Sequence, residues 1–183
     1  MIREIVIYPS PVLRAVGEPV EEVTDDIRRL ADDMVETMYQ ASGVGLAAQQ
    51  VGEPLQLAVV DVSHDEECVS YLRLNGEEKT LDEVCPLIFT NPVIEPFGEK
   101  VTDVEGCLSF PDLRSDITRP FEVRATFLNL DGETARIETD GLFARAIQHE
   151  VDHLFGKLFI DRMSSARKLA IRKQLKEMKE EFS

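Results

Sequence analysis

The sequence has no tryptophan, only three cysteines and three histidines among 183 residues, and no long hydrophobic run. No stretch approaches the ~18 uncharged apolar residues that a membrane-spanning helix requires. Three cysteines cannot all pair with one another, and an odd number favours a reducing compartment over a disulfide-stabilised fold. Charged residues interrupt the N-terminal apolar run too early for a signal peptide. Together these absences predict a cytoplasmic protein.

Positive charge is scarce as well, since 20 lysines and arginines face 35 acidic residues for a net charge of −15. A protein that binds nucleic acid in general needs a basic surface, so this function is disfavoured. The charge is nevertheless uneven, because the segment of residues 162–179 contains a single acidic residue, Glu177. The basic residues of that segment are Arg162, Arg167, Lys168, Arg172, Lys173, Lys176 and Lys179.

The length and the composition, with 43% hydrophobic and 30% charged residues, suit one globular domain over residues 1–183. A strand is predicted at Leu55–Val62, and a hairpin around a two-residue Asp-Gly turn between residues 123 and 139. The helical patterns stand apart from the strands and do not alternate with them, which predicts an α+β fold. We expect antiparallel or mixed sheets packed around a central helix.

Three helices are predicted from apolar residues that recur at intervals of three and four. The first begins at Thr24 or Asp25 and ends near Gly43, where glycine would supply a left-handed conformation. The central helix ends at Gly156, and residues 163–183 contain an amphipathic C-terminal helix.

The central helix carries the most informative motif, because residues 149–153 read His-Glu-Val-Asp-His. At about 100° per residue, positions four apart return to within about 40° of each other, so His149 and His153 point the same way. They can supply two corners of a tetrahedral metal site. Glu150 lies one step round the helix, where it can reach a water molecule on the metal without binding the metal itself.

A catalytic metal site needs a third protein ligand and an open position. No histidine follows His153 in the sequence, and Cys107 is a candidate because a thiolate binds borderline metals strongly. From its local sequence alone, a structural role for this cysteine is favoured. The acidic residues downstream that could serve instead, as in a zinc peptidase, are Asp161, Glu177, Glu180 and Glu181.

Three short segments carry motifs that match one known family. Residues 43–50 read Gly-Val-Gly-Leu-Ala-Ala-Gln-Gln, residues 105–109 read Glu-Gly-Cys-Leu-Ser, and residues 148–153 read Gln-His-Glu-Val-Asp-His. In these motifs and in their order the chain resembles the peptide deformylases. The spacing of the remaining residues is compatible with that family over nearly the whole chain.

The resemblance implies that Cys107, His149 and His153 bind one divalent metal ion, with water in the fourth position. Glu150 would be the general base that takes a proton from this water and passes it to the leaving amine. The reaction would be hydrolysis of the N-formyl group from formyl-methionine at the start of nascent polypeptides, with release of formate. Iron(II) would be the metal in the cell, and zinc, nickel or cobalt could substitute.

The resemblance also assigns groups that stabilise the oxyanion and hold the peptide. Gln50, through its side-chain amide, and Leu108, through its backbone N–H, would form the oxyanion hole. Gly45 would offer backbone hydrogen bonds to the bound peptide. Such donors are each worth roughly 3–4 kcal/mol in comparable sites.

Part of the substrate pocket is predicted from helical spacing. Leu142 and Ala146 lie on the same stripe of the central helix as the two histidines, so apolar groups should flank the metal ligands. A methionine side chain could lie there, with Val44 as an opposite wall. The alternative is that Leu142 and Ala146 are ordinary core residues.

Two other functions are compatible with the central motif. One is a zinc metallopeptidase that uses the same helix with a carboxylate as third ligand, and the other is a non-catalytic module with a structural metal. The basic C-terminal helix could dock on the ribosome, or it could simply be a solubilising face. Residues 63–85 form a longer excursion than the deformylase pattern requires, and we expect it to alter a rim of the cleft or a surface contact.

Overall fold

The computed structural model describes residues 1–182, and its architecture is α+β, as predicted. The described residues form one seven-stranded sheet in the order β1-β2-β5-β6-β7-β3-β4, in which every neighbouring pair is antiparallel. The strands are β1 (Gly45–Ala47), β2 (Leu57–Val60), β3 (Leu72–Leu74), β4 (Glu77–Glu78), β5 (Leu87–Cys107), β6 (Phe110–Leu128) and β7 (Thr134–Asp140). The α-helices are α1 (Asp25–Gln40), α2 (Leu81–Val84), α3 (Gly141–Leu154), α4 (Ser165–Ala170) and α5 (Arg172–Glu181).

The helix α3 is the element around which the sheet is packed. Every residue from Phe143 to Leu154 is buried, and the largest core cluster joins α3 to strands from both halves of the sheet. Val60 of β2, Phe89 of β5 and Ile137 of β7 belong to that cluster. The His-Glu-x-x-His motif therefore lies inside the protein and not on a solvated face. No helix within residues 1–182 is long and apolar enough to cross a membrane.

The ends of α1 agree with the prediction at one terminus and differ at the other. The Thr24 hydroxyl accepts a hydrogen bond from the backbone N–H of Ile27, which caps the helix N-terminus. At the C-terminus the left-handed residue is Ser42, with φ of 55°, and not Gly43. Gly43 instead packs closely on another segment, since a Cβ there would lie 2.7 Å from the end of the Leu108 side chain.

The hairpin between β6 and β7 also has a different turn from the predicted one. The loop runs from residue 129 to residue 133 and is not a two-residue Asp-Gly turn. Its shape is set by Asn129, whose side-chain oxygen accepts hydrogen bonds from the N–H groups of Asp131 and Glu133 at 3.0 and 2.9 Å. An asparagine that bonds to nearby backbone in this way holds a wider turn.

The excursion at residues 63–85 packs against the start of α3. It contains β3, which pairs with β7, and a tight turn at Asn75-Gly76 with φ of 52° and 84°. The Ser70 hydroxyl donates to the Asp140 carbonyl at 2.9 Å, and the Tyr71 N–H donates to the Asp140 carboxylate at 3.0 Å. The excursion therefore supports the N-terminal end of the central helix.

The C-terminal segment contains two consecutive helices where one was predicted. The break falls at Ile171, which is 9% exposed and packs in a core cluster with Phe110, Phe159 and Met178. The apolar face of α5 therefore packs on the protein, and the basic residues are on its exposed sides.

Candidate metal centre

The two histidines and Cys107 come together although the cysteine is on a different element. Cys107 is the last residue of β5, and its Sγ lies 3.4 Å from Nε2 of His153. The ligand atoms of Cys107, His149 and His153 all lie within 4.8 Å of one another, and they form the only such group of three found in residues 1–182. The structure therefore unites the three residues predicted as metal ligands.

This geometry fits a divalent metal ion. Zinc–sulfur and zinc–nitrogen bonds of about 2.3 and 2.0–2.1 Å at a tetrahedral angle separate the two ligand atoms by about 3.5 Å, close to the Cys107–His153 distance of 3.4 Å. The Oε2 atom of Glu150 is also buried without a hydrogen-bond partner within the described residues. A buried carboxylate oxygen in that state calls for a solvent molecule or a cation beside it.

Burial sets the direction of the pKa shifts of His153 and Glu150, whereas hydrogen bonds to Cys107 and Glu105 raise the pKa of His149 against the effect of burial. Removal from solvent lowers the pKa of His153 well below its usual value, so its imidazole is neutral and its nitrogen lone pair is available to a cation. Burial likewise raises the pKa of Glu150 to about 7. A carboxyl group with this pKa can both accept and donate a proton near neutral pH. A nearby divalent cation would favour the carboxylate form.

A network of buried charged side chains orients the His149 imidazole through its Nδ1 atom. Glu105 accepts hydrogen bonds from His149 Nδ1 at 2.9 Å and from Arg119 at 2.7 and 3.0 Å. Arg145 donates to the same carboxylate at 2.7 Å. Burial alone would raise the pKa of Glu105, but hydrogen bonds from His149 and Arg119 hold it well below its usual range. With Nδ1 engaged by a carboxylate, Nε2 of His149 is directed to the ligand cluster.

Arg119 extends this network to a second buried carboxylate, on α3 itself. It donates to Asp152 at 2.8 Å, and Arg162 donates to the same carboxylate at 3.1 and 2.7 Å. Asp152 stands between the two histidines in sequence, so the motif is tied to arginines both through Asp152 and through the Glu105 partner of His149. These positions had no predicted role, although Glu105 opens the second motif and Asp152 lies inside the third.

The first motif is shaped to meet the other two. A Cβ at Gly45 would lie 2.3 Å from Oε1 of Glu150, so the β1 backbone passes directly against that carboxylate. A side chain at Gly43 would meet Leu108, as described above. The spacing of the two glycines thus reflects close packing against one residue of each of the other motifs.

Gln50 lies on the same side of the cluster as Cys107. Its Nε2 is 3.5 Å from Cys107 Sγ and donates to the Ser109 hydroxyl at 3.1 Å. Its Oε1 accepts from the N–H of Ala47 at 2.9 Å. Leu108 directly follows the cysteine in the turn between β5 and β6. The amide of Gln50 and the backbone of Leu108 are therefore both within the immediate surroundings of the thiol.

The predicted pocket residues fall in different environments. Ala146 is 6% exposed and belongs to the core cluster of α3, whereas Leu142 is half-buried and packs against that cluster. Val44 is 44% exposed beside β1. All three stay candidates for contact with a substrate.

Three of the four acidic residues considered as alternative ligands are engaged elsewhere. Asp161 pairs with Arg14 and accepts from the N–H of Leu158 at 2.9 Å. Glu177 and Glu180 lie 3.6 and 3.7 Å from lysines of their own helix. None of these carboxylates belongs to the Cys-His-His group.

An α+β fold with a buried His-Glu-x-x-His helix facing a cysteine defines a candidate metal-dependent hydrolase. Residues 2–169 match the family model described as polypeptide deformylase. A peptide deformylase of Methylacidiphilum infernorum is 45% identical over 179 residues, covering 98% of this chain and 94% of the relative. One of Rhizobium meliloti is 44% identical over 168 residues, covering 91% and 88%.

Solved structures agree with the sequence matches. A plant peptide deformylase superposes with a TM-score of 0.85 at 34% identity, covering 98% of this chain and 90% of that one. The peptide deformylase of Plasmodium falciparum superposes with a TM-score of 0.82 at 32% identity, covering 97% and 96%. The chain belongs to the polypeptide deformylase family.

Proposed function

We propose that this chain hydrolyses the N-formyl group of formyl-methionine at the start of nascent polypeptides and releases formate, with residues 1–183 acting as one catalytic domain in the cytoplasm. The observation that supports it best is the meeting of Cys107, His149 and His153 beside Glu150. Family membership favours this reaction over peptide-bond hydrolysis by a zinc metallopeptidase.

The proposed roles follow from the contacts of each side chain. Cys107, His149 and His153 would hold the metal ion, which would supply Lewis acidity and lower the pKa of water toward neutrality. Glu150, buried and with a raised pKa, takes a proton from the attacking water and delivers it to the leaving amine. Its carboxylate packs directly against the backbone of Gly45.

Charge that develops on the formyl oxygen needs fixed donors. Nε2 of Gln50 and the N–H of Leu108 are proposed to supply them, since both flank the cysteine. Gly45 is proposed to bind the peptide backbone from the edge strand β1. We propose that the methionine side chain contacts Val44, Leu142 and Ala146.

The direct test is formate release from a formyl-methionyl peptide, with the metal content measured on the same sample. Glu150→Gln should retain the metal and lose activity by at least about 100-fold, because the side chain can no longer accept a proton. Glu138→Gln, in a partly exposed pair with Arg124, is the matched control. Cys107→Ala should lose the metal, and retention of both metal and activity would instead support a carboxylate ligand.

We propose iron(II) as the metal in the cell. A site of two nitrogens and one sulfur accepts zinc, nickel and cobalt as well, and a thiolate beside iron(II) makes activity sensitive to oxygen. Metal-free protein reconstituted anaerobically with each ion would decide, and a higher rate with zinc than with iron would contradict the proposal.

Docking of the basic C-terminal segment on the ribosome is a further part of the proposed function. Lys168 and Arg172 are exposed on α4 and α5, and ribosomal RNA offers phosphates to such residues. The double variant Lys168→Glu/Arg172→Glu should co-sediment less with ribosomes than the wild type, while Arg136→Glu on β7 serves as control. Equal co-sedimentation of all three proteins would end the idea.

A further inference from the structure

The amide group of Gln50 is held at both ends by hydrogen bonds within the protein. Its Oε1 accepts from the Ala47 N–H at 2.9 Å, and its Nε2 donates to the Ser109 hydroxyl at 3.1 Å. Gln50 and Ser109 are 1% and 0% exposed. Ser109 is thus a buried partner of the proposed oxyanion donor, and the proposed mechanism gives it no role.

This arrangement matters because the terminal torsion of glutamine has broad, roughly two-fold preferences. With the opposite amide orientation, Oε1 would face the reacting carbonyl and repel the developing negative charge. The Ala47 N–H can donate only to the oxygen of the amide, and the Ser109 hydroxyl lies on the nitrogen side. The Ala47 bond selects the orientation in which the amide nitrogen is directed toward Cys107, and the Ser109 bond restrains the plane of the amide in that orientation.

The segments that carry Gln50 and Ser109 are far apart in sequence and are joined by the N-terminal arm, residues 5–8. The Val6 N–H donates to the Gln50 carbonyl at 2.8 Å, and the Tyr8 N–H donates to the Ser109 carbonyl at 2.9 Å. The Tyr8 ring stacks on Phe110, with centroids 4.8 Å apart. The arm therefore fixes the separation of the two backbones across which the Gln50–Ser109 side-chain bond forms.

We propose that Ser109 is a positioning residue that acts through Gln50, and that the N-terminal arm keeps the two residues in register. The hydroxyl accepts one N–H of the Gln50 amide and leaves the other directed at the formyl oxygen in the transition state. This inference rests on the proposed deformylase function and adds a residue to it.

Ser109→Ala removes the acceptor and changes little else in volume. One hydrogen bond contributes about 1 kcal/mol, so kcat should fall by about 5- to 10-fold, while KM and metal content stay the same. Ser115→Ala is the matched control, since Ser115 is 5% exposed and its hydroxyl has no hydrogen-bond partner within residues 1–182. The control should retain the wild-type kcat.

A double-mutant cycle separates positioning from a general structural effect. In the Gln50→Ala background, Ser109→Ala should cause no further loss of kcat, because the group it orients is gone. A readout without turnover is the hydrogen exchange of the Gln50 side-chain amide by NMR in metal-free protein. Ser109→Ala should accelerate that exchange, and Ser115→Ala should not.

The outcomes distinguish this inference from the function on which it rests. A wild-type protein that releases no formate would overturn the proposed function, and the role of Ser109 with it. An active wild type with an unchanged Ser109→Ala variant, or with losses that simply multiply in the double variant, would overturn the role of Ser109 alone.

Discussion

Removal of the Glu105 carboxylate is the most informative perturbation of this structure, because one side chain connects the metal centre to the buried arginines. Glu105 is 7% exposed and accepts hydrogen bonds from His149, Arg119 and Arg145. In Glu105→Ala, Arg145 would keep only backbone carbonyl partners, and Arg119 would keep only Asp152.

The expected magnitude has two parts. Breaking a buried ion pair by removing one partner costs about 3–5 kcal/mol, because the remaining charge is buried without full compensation. Loss of the carboxylate behind a metal-binding histidine typically weakens metal affinity by about 10–100-fold. Glu105→Gln keeps one acceptor oxygen, so it should show the affinity loss with a smaller loss of stability than Glu105→Ala.

The two parts are measured separately. Urea unfolding of the metal-free proteins gives the free energy of unfolding, and competition with a chelator gives the metal affinity. Glu138→Ala, which removes a partly exposed pair with Arg124, should cost less than about 1 kcal/mol and leave the affinity unchanged. If Glu105→Ala matched that control in both measurements, the assignment of His149 orientation to Glu105 would be wrong.

Three further predictions test other parts of the structure. Gly45→Ala places a Cβ 2.3 Å from Oε1 of Glu150, so the carboxylate must move, and kcat should fall by about 100-fold with the metal retained. Burial alone would raise the pKa of Asp161, but its hydrogen bond from Arg14 lowers it below the usual value. Its ionised form therefore stabilises the fold above the unfolded pKa of about 3.9. Asp161→Asn should be less stable than wild type in urea at pH 7, and the difference should vanish as the pH falls through the lowered folded pKa. Asn75→Ala should cost about 1 kcal/mol in the same assay, since φ of 52° is unfavourable for alanine, and an unchanged midpoint would contradict this.

Much of the site could be predicted from the sequence because its chemistry depends on short spacings within single elements. Two histidines four apart on a helix, with a glutamate between them, need no tertiary information to point to a metal. The adjacent Asn75 and Gly76, residue types that tolerate a positive φ, likewise suit the tight turn that the structure contains. For Cys107 the chemistry of a thiolate made it a candidate ligand, but its local sequence favoured a structural role, and the resemblance to the family reversed that preference.

Other features depend on contacts between residues distant in the chain. Arg119 meets Glu105 and Asp152 only because β5 and β6 pair over a long register beside α3, and an isolated arginine carries no local signal of that role. The left-handed residue after α1 is Ser42 and not Gly43, whose close neighbour is Leu108 in the turn between β5 and β6. The sequence by itself thus determined which groups can do the chemistry. The tertiary structure alone decided which residues hold them in place, because those contacts arise from packing and buried charge between separate elements.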